Sequence, residues 1–79
     1  MATLRLFAQA REAAGGGSFQ FDDAATVADV LAQASSRFGE RFDAIVANSK
    51  VWLNGDECRP DDLVTNRDEV AVLPPVSGG

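Results

Sequence analysis

The chain ends in Gly78-Gly79, and a proline pair, Pro74-Pro75, leads into these glycines. Glycine has no Cβ, so the catalytic groups of another protein can approach its carbonyl closely. The prolines fix φ and favour polyproline II, which rises ~3.1 Å per residue and carries a tail away from its fold. Frayed chain ends also contain glycine pairs. We interpret the tail as one that presents its carboxylate to a narrow active site, with Gly79 reacting and Gly78 beside it.

The other residue types offer few catalytic sets. The sequence has no histidine and one cysteine, Cys58, which excludes Ser-His and Cys-His nucleophiles, His-containing zinc sites and thiolate clusters. Paired carboxylates lie at predicted turns, where Asp is favoured for backbone hydrogen bonds. Gly15-Gly16-Gly17 lacks the Lys-Ser/Thr of a P-loop. We expect no metal site and no bound cofactor, and no sulfur transfer at Cys58, because Arg59 is its one neighbouring cation in the sequence.

Length and charge limit the class of protein. The 79 residues allow one small domain, and 46% of them are hydrophobic. The net charge of -5 disfavours nucleic acid and anionic membrane as partners and favours a protein with a basic face. No apolar stretch approaches the ~20 residues of a membrane span. We expect a cytoplasmic protein.

The first half of the chain predicts a hairpin followed by a helix. Thr3 to Gln9 alternates as a strand with Phe7 on the nominally wet face, and Ser18 to Asp22 alternates as a second strand. The glycine triplet between the two strands can close the hairpin. Thr26 then begins a helix with a capping box, which apolar residues follow at helical spacing as far as Gly39.

The second half predicts a shorter helix and three strands. Residues 41–47 have helical spacing, and Asn54-Gly55 is a two-residue hairpin signal between strands at 51–53 and 56–59. Glu69 to Leu73 is a last strand with apolar residues on both faces, which indicates either a central strand or an exposed patch. This order predicts an α+β fold of the β-grasp, ubiquitin-like type, with a mixed sheet of about five strands on one main helix. We place the domain at 1–73 and an extended, flexible tail at 74–79.

The chain resembles a known family over essentially its whole length, and two segments carry the resemblance. Leu6-Phe7-Ala8-Gln9-Ala10-Arg11-Glu12 and the stretch from Asp68 through Pro74-Pro75-Val76-Ser77-Gly78-Gly79 are similar to the small subunit of molybdopterin synthase. The Pro-Pro-Val-x-Gly-Gly ending distinguishes that subunit from related thiamine-pathway carriers. Thr65-Asn66-Arg67 departs from the glycine-containing acidic turn of the family, although Asn66 can adopt the left-handed conformation.

The resemblance implies a sulfur carrier. An adenylyltransferase similar to ubiquitin-activating enzymes would use ATP to adenylate Gly79, and a persulfide donor would convert the adenylate to a thiocarboxylate. The sulfur would pass to cyclic pyranopterin monophosphate in the active site of a large subunit, which would supply the catalytic side chains. The product would be molybdopterin, on the way to the molybdenum cofactor.

The same resemblance and the exposed apolar positions predict a docking surface. We expect Phe7, Leu73, Pro74, Pro75 and Val76 to contact the partner around the tail. Arg11 matches a basic position of the family and is either a partner contact or a solvated arginine. For Phe7 and Leu73 the alternative is core packing or coverage by a loop, and the sequence does not decide whether Trp52 shields the sheet or joins the interface.

Two other functions remain open from the sequence. A sulfur carrier for thiamine or cysteine synthesis would use the same tail with another acceptor. A ubiquitin-like modifier would join Gly79 to a lysine amine, and a plain interaction module would use no covalent chemistry. Formation of a thiocarboxylate, of an isopeptide bond or of neither product distinguishes the three functions.

Overall fold

Five strands form one mixed sheet in the computed structural model, which describes residues 2–75. The sheet order is β2-β1-β5-β3-β4. β1 and β5 are parallel, whereas β1 and β2, β3 and β5, and β3 and β4 are antiparallel. This is the predicted β-grasp arrangement, with the last strand in the centre. The strands are β1 (Ala2–Leu6), β2 (Ser18–Phe21), β3 (Lys50–Leu53), β4 (Asp56–Glu57) and β5 (Glu69–Leu73).

The main helix, α2 (Val27–Phe38), begins and ends where the sequence predicts. The Asp29 N–H donates to Thr26 Oγ1 at 3.2 Å, and the Asp29 carboxylate accepts from the Thr26 N–H at 3.1 Å, which completes the capping box. At the other end Gly39 has φ 98°, a conformation that favours glycine. Because of this sharp turn, α3 (Glu40–Ala47) starts directly after α2.

A helix that the sequence reading missed, α1 (Ala8–Ala14), lies between β1 and β2. The predicted strand 3–9 was therefore wrong in its last residues, since β1 ends at Leu6. Ala8 has φ 51° and turns the chain out of the sheet, and Ala10, on the inner side of the new helix, is fully buried. The two strands still pair as predicted, with Leu4 opposite Phe19.

One face of the sheet and the inner sides of the helices form the core. Val70 and Val72 on β5 and Leu4 on β1 are completely buried, as the alternation predicts. Around them lie Ala2, Leu6, Ala10, Phe21, Val27, Val30, Ala34, Phe42 and Val64. Among residues 2–75, no helix has both the length and the apolar character to cross a lipid bilayer.

The β3–β4 hairpin turns at Asn54 and Gly55, with φ values of 52° and 86°. Positive φ at both positions is the geometry that the Asn-Gly pair predicts. β4 is shorter than expected, because it ends at Glu57 instead of residue 59. The hairpin is tied to the start of β5, where Asn54 Nδ2 donates to Asp68 Oδ1 at 2.9 Å and Asn54 Oδ1 accepts from the Glu69 N–H at 2.9 Å.

The turn before β5 closes without a left-handed Asn66. Among the described residues other than glycine, positive φ occurs at Ala8, Asp23 and Asn54. The Asp68 carboxylate instead accepts the Thr65 N–H at 2.7 Å and so holds the turn through a side chain. This departure from the family pattern therefore leaves the entry into β5 well hydrogen-bonded.

We expect acid to weaken the fold partly through Asp68. The Asn54 amide, and then the Thr65 N–H, lower the pKa of this carboxyl below its ordinary value. Because the folded pKa is the lower one, the stabilisation is present above the unfolded pKa of about 3.9 and is lost as pH falls through the folded pKa. Asp68→Asn should lower the free energy of unfolding near pH 7 and reduce the further loss down to about pH 3.

Urea unfolding at several pH values measures this effect. Asp61→Asn is a suitable control, because Asp61 is exposed and its carboxylate accepts no hydrogen bond from residues 2–75. Identical pH profiles for wild type and Asp68→Asn would contradict the assignment.

Candidate docking face and tail root

The face of the sheet opposite the core carries a line of side chains from β1, β5 and β3. Ala71 on β5 lies opposite Arg5 on β1 and Trp52 on β3, and Leu73 lies opposite Lys50. Side chains alternate across a strand, so Ala71 and Leu73 point away from the buried Val70 and Val72. This outer face is where two of the predicted docking residues, Phe7 and Leu73, are found.

Phe7 and Leu73 are exposed on this face and do not belong to the core. Their exposed fractions are 41% and 38%. They line an apolar groove of about 260 Å³, and its other lining residues are Trp52, Gly55, Glu69 and Ala71. The structure therefore removes core packing as an explanation for both residues. Their role in docking stays a prediction.

A second groove continues the first towards the tail. It measures about 380 Å³ and shares Trp52 and Leu73 with the first groove. Its remaining lining residues are Asn48, Lys50, Pro74 and Pro75. Together the two grooves form one depression, here called the outer trough, that runs from Phe7 to Pro75. Half-buried Trp52 lies in its middle, on the outer face of the sheet, and its part in an interface stays a prediction.

The end of the trough that lies away from the tail has an ion pair beside it. Arg5 and Glu69 form an ion pair with an N–O distance of 3.9 Å, and the Arg5 guanidinium lies 5.9 Å from the centre of the Phe7 ring. An exposed pair of this kind contributes at most about 1 kcal/mol. The guanidinium is close enough to the Phe7 ring for a cation–π contact, which favours this position of the ring.

A polar recess lies on the other side of the tail root. It has a volume of about 700 Å³ between α1 and α3. Pro75 lines this recess as well as the outer trough, so the chain leaves the domain between the two depressions. Its other lining residues are Gln9, Glu12, Arg41, Ala44, Ile45 and Asn48.

The structure describes the predicted tail residues as far as Pro75. Pro74 is buried against the domain and Pro75 is exposed. Val76, Gly78 and Gly79 lie outside the described residues.

Arg11 lies apart from the other predicted contacts. It is exposed on α1, and a Cβ built on Gly17 would lie 3.4 Å from its Nε, so the side chain extends along the loop before β2. It lines neither the outer trough nor the α1–α3 recess. Its role as a partner contact stays a prediction.

Cys58 has the environment of a structural thiol. Its Sγ donates to the Val51 carbonyl oxygen at 3.4 Å. Partial burial, and then the nearby Asp62 carboxylate, raise the pKa of the Cys58 thiol. A protonated thiol is a weak nucleophile. Within the described part of the chain, no three His, Cys, Asp or Glu side chains are grouped so that they could hold a metal ion.

Comparison with known proteins places the chain among sulfur carriers. The ThiS family profile matches residues 4–79. The chain is 36% identical over 77 residues to a molybdopterin synthase sulfur carrier subunit of Chlamydomonas reinhardtii, with 92% of each chain covered. It is 30% identical to the subunit of the same description from Haemophilus influenzae, with both chains fully covered at 100%.

A solved structure gives the same picture of the fold. Small archaeal modifier protein 1 (SAMP1) from Methanosarcina acetivorans superposes with a TM-score of 0.86 at 26% identity, covering 99% of this chain and 95% of that chain. The family match extends over the sheet, the helices and the glycine pair, and this agrees with the resemblance found in the sequence. The chain belongs to the ThiS family.

Proposed function

We propose that this chain carries sulfur as a thiocarboxylate on Gly79 and acts as the small subunit of a molybdopterin synthase. The observation that supports this most strongly is the position of the tail root. Pro75 lies at the end of an exposed apolar trough, so a partner that covers the trough also lies beside the start of the tail. The relatives named as molybdopterin synthase sulfur carrier subunits agree with this function over nearly the whole chain.

Loading of the tail needs three chemical steps. The Gly79 carboxylate attacks the α-phosphorus of ATP and releases pyrophosphate, which gives an acyl-adenylate. The terminal sulfur of a persulfide donor then attacks the Gly79 carbonyl and displaces AMP, which gives an acyl disulfide. A thiol breaks the S–S bond, so that the thiocarboxylate is left on Gly79 and the thiol becomes part of a disulfide.

Delivery uses the nucleophilic sulfur while it is still tethered. The thiocarboxylate sulfur attacks a carbon of cyclic pyranopterin monophosphate and displaces an oxygen substituent from that carbon. Water then cleaves the thioester, which leaves the sulfur on the acceptor and restores the Gly79 carboxylate, and a second loaded carrier supplies the second sulfur. The carrier contributes reach and high local concentration. We assign acid–base catalysis to the large subunit, as the family resemblance implies. The raised pKa of the Cys58 thiol keeps it protonated and a weak nucleophile.

Three partners follow from this chemistry. They are the large synthase subunit, an ATP-using adenylyltransferase related to ubiquitin-activating enzymes, and a persulfide donor. The carrier itself binds no cofactor, since ATP is held by the activating enzyme. All of these reactions belong in the cytoplasm, where ATP and thiols are abundant.

Protein modification is the second candidate. It is favoured by the likeness to SAMP1, whose name describes a modifier. The two functions share the adenylate and differ in the next nucleophile. A persulfide leads to sulfur carriage, whereas a lysine amine leads to an isopeptide bond.

Mass spectrometry of the tail tests the proposal. The purified chain is incubated with the activating enzyme, ATP and a sulfur donor, and the mass of its C-terminal proteolytic fragment is measured. Exchange of oxygen for sulfur adds ~16 Da, close to one oxidation, but Met1 and Cys58 can be cleaved away from Gly79. An ATP-dependent gain confined to this fragment supports sulfur carriage. Attachment of the tail to a lysine with no such gain would support modification instead.

A further inference from the structure

Two cations stand on opposite sides of the tail root. Lys50 lines the outer trough and Arg41 lines the α1–α3 recess, and Pro75 borders both depressions. Both side chains are exposed, and neither forms an ion pair with any other residue in the range 2–75. In a chain with a net charge of -5, this places unpaired positive charge next to the exit of the tail.

Two charged residues line the outer trough, Lys50 and Glu69, and Glu69 is the one that is paired. At the far end of the trough, Arg5 already has Glu69 as a partner at 3.9 Å. The middle consists of Trp52, Ala71 and Leu73, which carry no charge. Among the charged residues that line the trough, Lys50 is therefore the one without an ion-pair partner in the range 2–75, and it lies at the tail end.

We propose that the large synthase subunit presents carboxylates on both sides of the entrance to its tail channel, and that these pair with Lys50 and Arg41. The proposal rests on the proposed function and adds the chemistry of the partner. An apolar contact along the trough tolerates sliding, because apolar contacts have little directionality. Two ion pairs that straddle the tail fix the register and aim the tail into the channel.

The two cations contribute unequally. Glu12 lines the same recess as Arg41 and offsets part of its field, although the two side chains do not form an ion pair. Lys50 has no carboxylate among the residues that line its own groove. The contact at Lys50 is therefore the stronger of the two.

Charge reversal tests the inference with the intact chain and the purified large subunit. Lys50→Glu is expected to weaken the complex about tenfold or more at low salt, and Arg41→Glu about threefold. Both effects should shrink as ionic strength rises and shortens the Debye length. The matched control is Arg67→Glu, which changes the net charge equally but lies in the turn before β5, at the opposite end of that strand from Leu73.

The outcomes separate the inference from the proposed function. Equal losses for Lys50→Glu and Arg67→Glu would show a general charge effect and overturn the inference, as would unchanged affinity for Lys50→Glu. If the wild-type chain forms no complex with a large subunit that is active with its own carrier, the proposed function fails. If the wild type binds and Phe7→Asp weakens binding while Lys50→Glu does not, the inference alone fails.

Discussion

Adding one alanine after Gly79 should abolish thiocarboxylate formation. The extension moves the carboxylate about 3.5 Å along the tail and replaces glycine by a residue with a Cβ at the reacting position. Displacement of reacting groups by ~1 Å can already cost about 10²-fold in rate. The mass assay of the C-terminal fragment measures the result directly.

Binding to the large subunit provides the control for this prediction. The trough, Lys50 and Arg41 are unaltered by the extension, so affinity for the large subunit should fall much less than sulfur loading. An extended chain that still acquires the ATP-dependent mass gain on its final residue would contradict a requirement for the terminal glycine. Loss of both loading and binding would instead indicate that the tail is part of the docking energy.

The second large effect is expected at the two exposed apolar residues of the trough. Phe7→Asp and Leu73→Asp each place a carboxylate where a partner would exclude water, and a buried unpaired charge is costly. Central apolar anchors of interfaces contribute ≥ ~2 kcal/mol when truncated, which corresponds to a loss of affinity of about 30-fold or more. Isothermal titration with the large subunit measures the affinity of each variant.

Leu63→Asp is the matched control for both variants. Leu63 is 74% exposed, pairs with Thr26 near the start of α2 and does not line the trough. It should bind the large subunit as the wild type does. All three variants should keep the wild-type melting temperature within a few degrees, since none of the three side chains is buried. Unchanged affinity in both Phe7→Asp and Leu73→Asp would remove the trough as the docking site.

The sequence predicted the elements whose signals are local. The capping box at Thr26 and Asp29, the Asn54-Gly55 turn and the apolar residues of β5 all act through neighbours within a few positions, and each is confirmed. Apolar residues on both faces of β5 predicted either a central strand or an exposed patch. In the structure both alternatives hold, since β5 is central and Leu73 is exposed.

The missed helix shows where alternation misleads. Leu4, Leu6 and Ala8 continue a strand pattern, but Ala8 turns the chain and Ala10 packs into the core. The stretch Ala8–Ala14 consists of Ala, Gln, Arg and Glu, which are strong helix formers, and that was the available signal. A run this short is stabilised by tertiary packing, which a sequence pattern does not contain.

The site was predictable in part. Phe7 and Leu73 stood out as apolar residues on the wet side of their strands, and the structure brings them to one groove. The sequence did not single out Lys50, because an exposed lysine at the start of a strand is common. Its position beside the tail root is known only from the structure. Trp52 could be assigned to the outer face of the sheet only after the pairing of β3 with β5 placed it opposite Ala71.

The parallel pairing of β1 with β5 also determines how the domain responds to force. The described chain enters β1 at Ala2 and leaves β5 at Leu73, at opposite ends of the same pair of strands. Tension between the two termini therefore shears all hydrogen bonds of this pair together, whereas an antiparallel pair pulled from one end would open one bond at a time. A force applied at the end of β5 while the start of β1 is held would therefore act along the strands, the direction in which this pair resists separation most strongly.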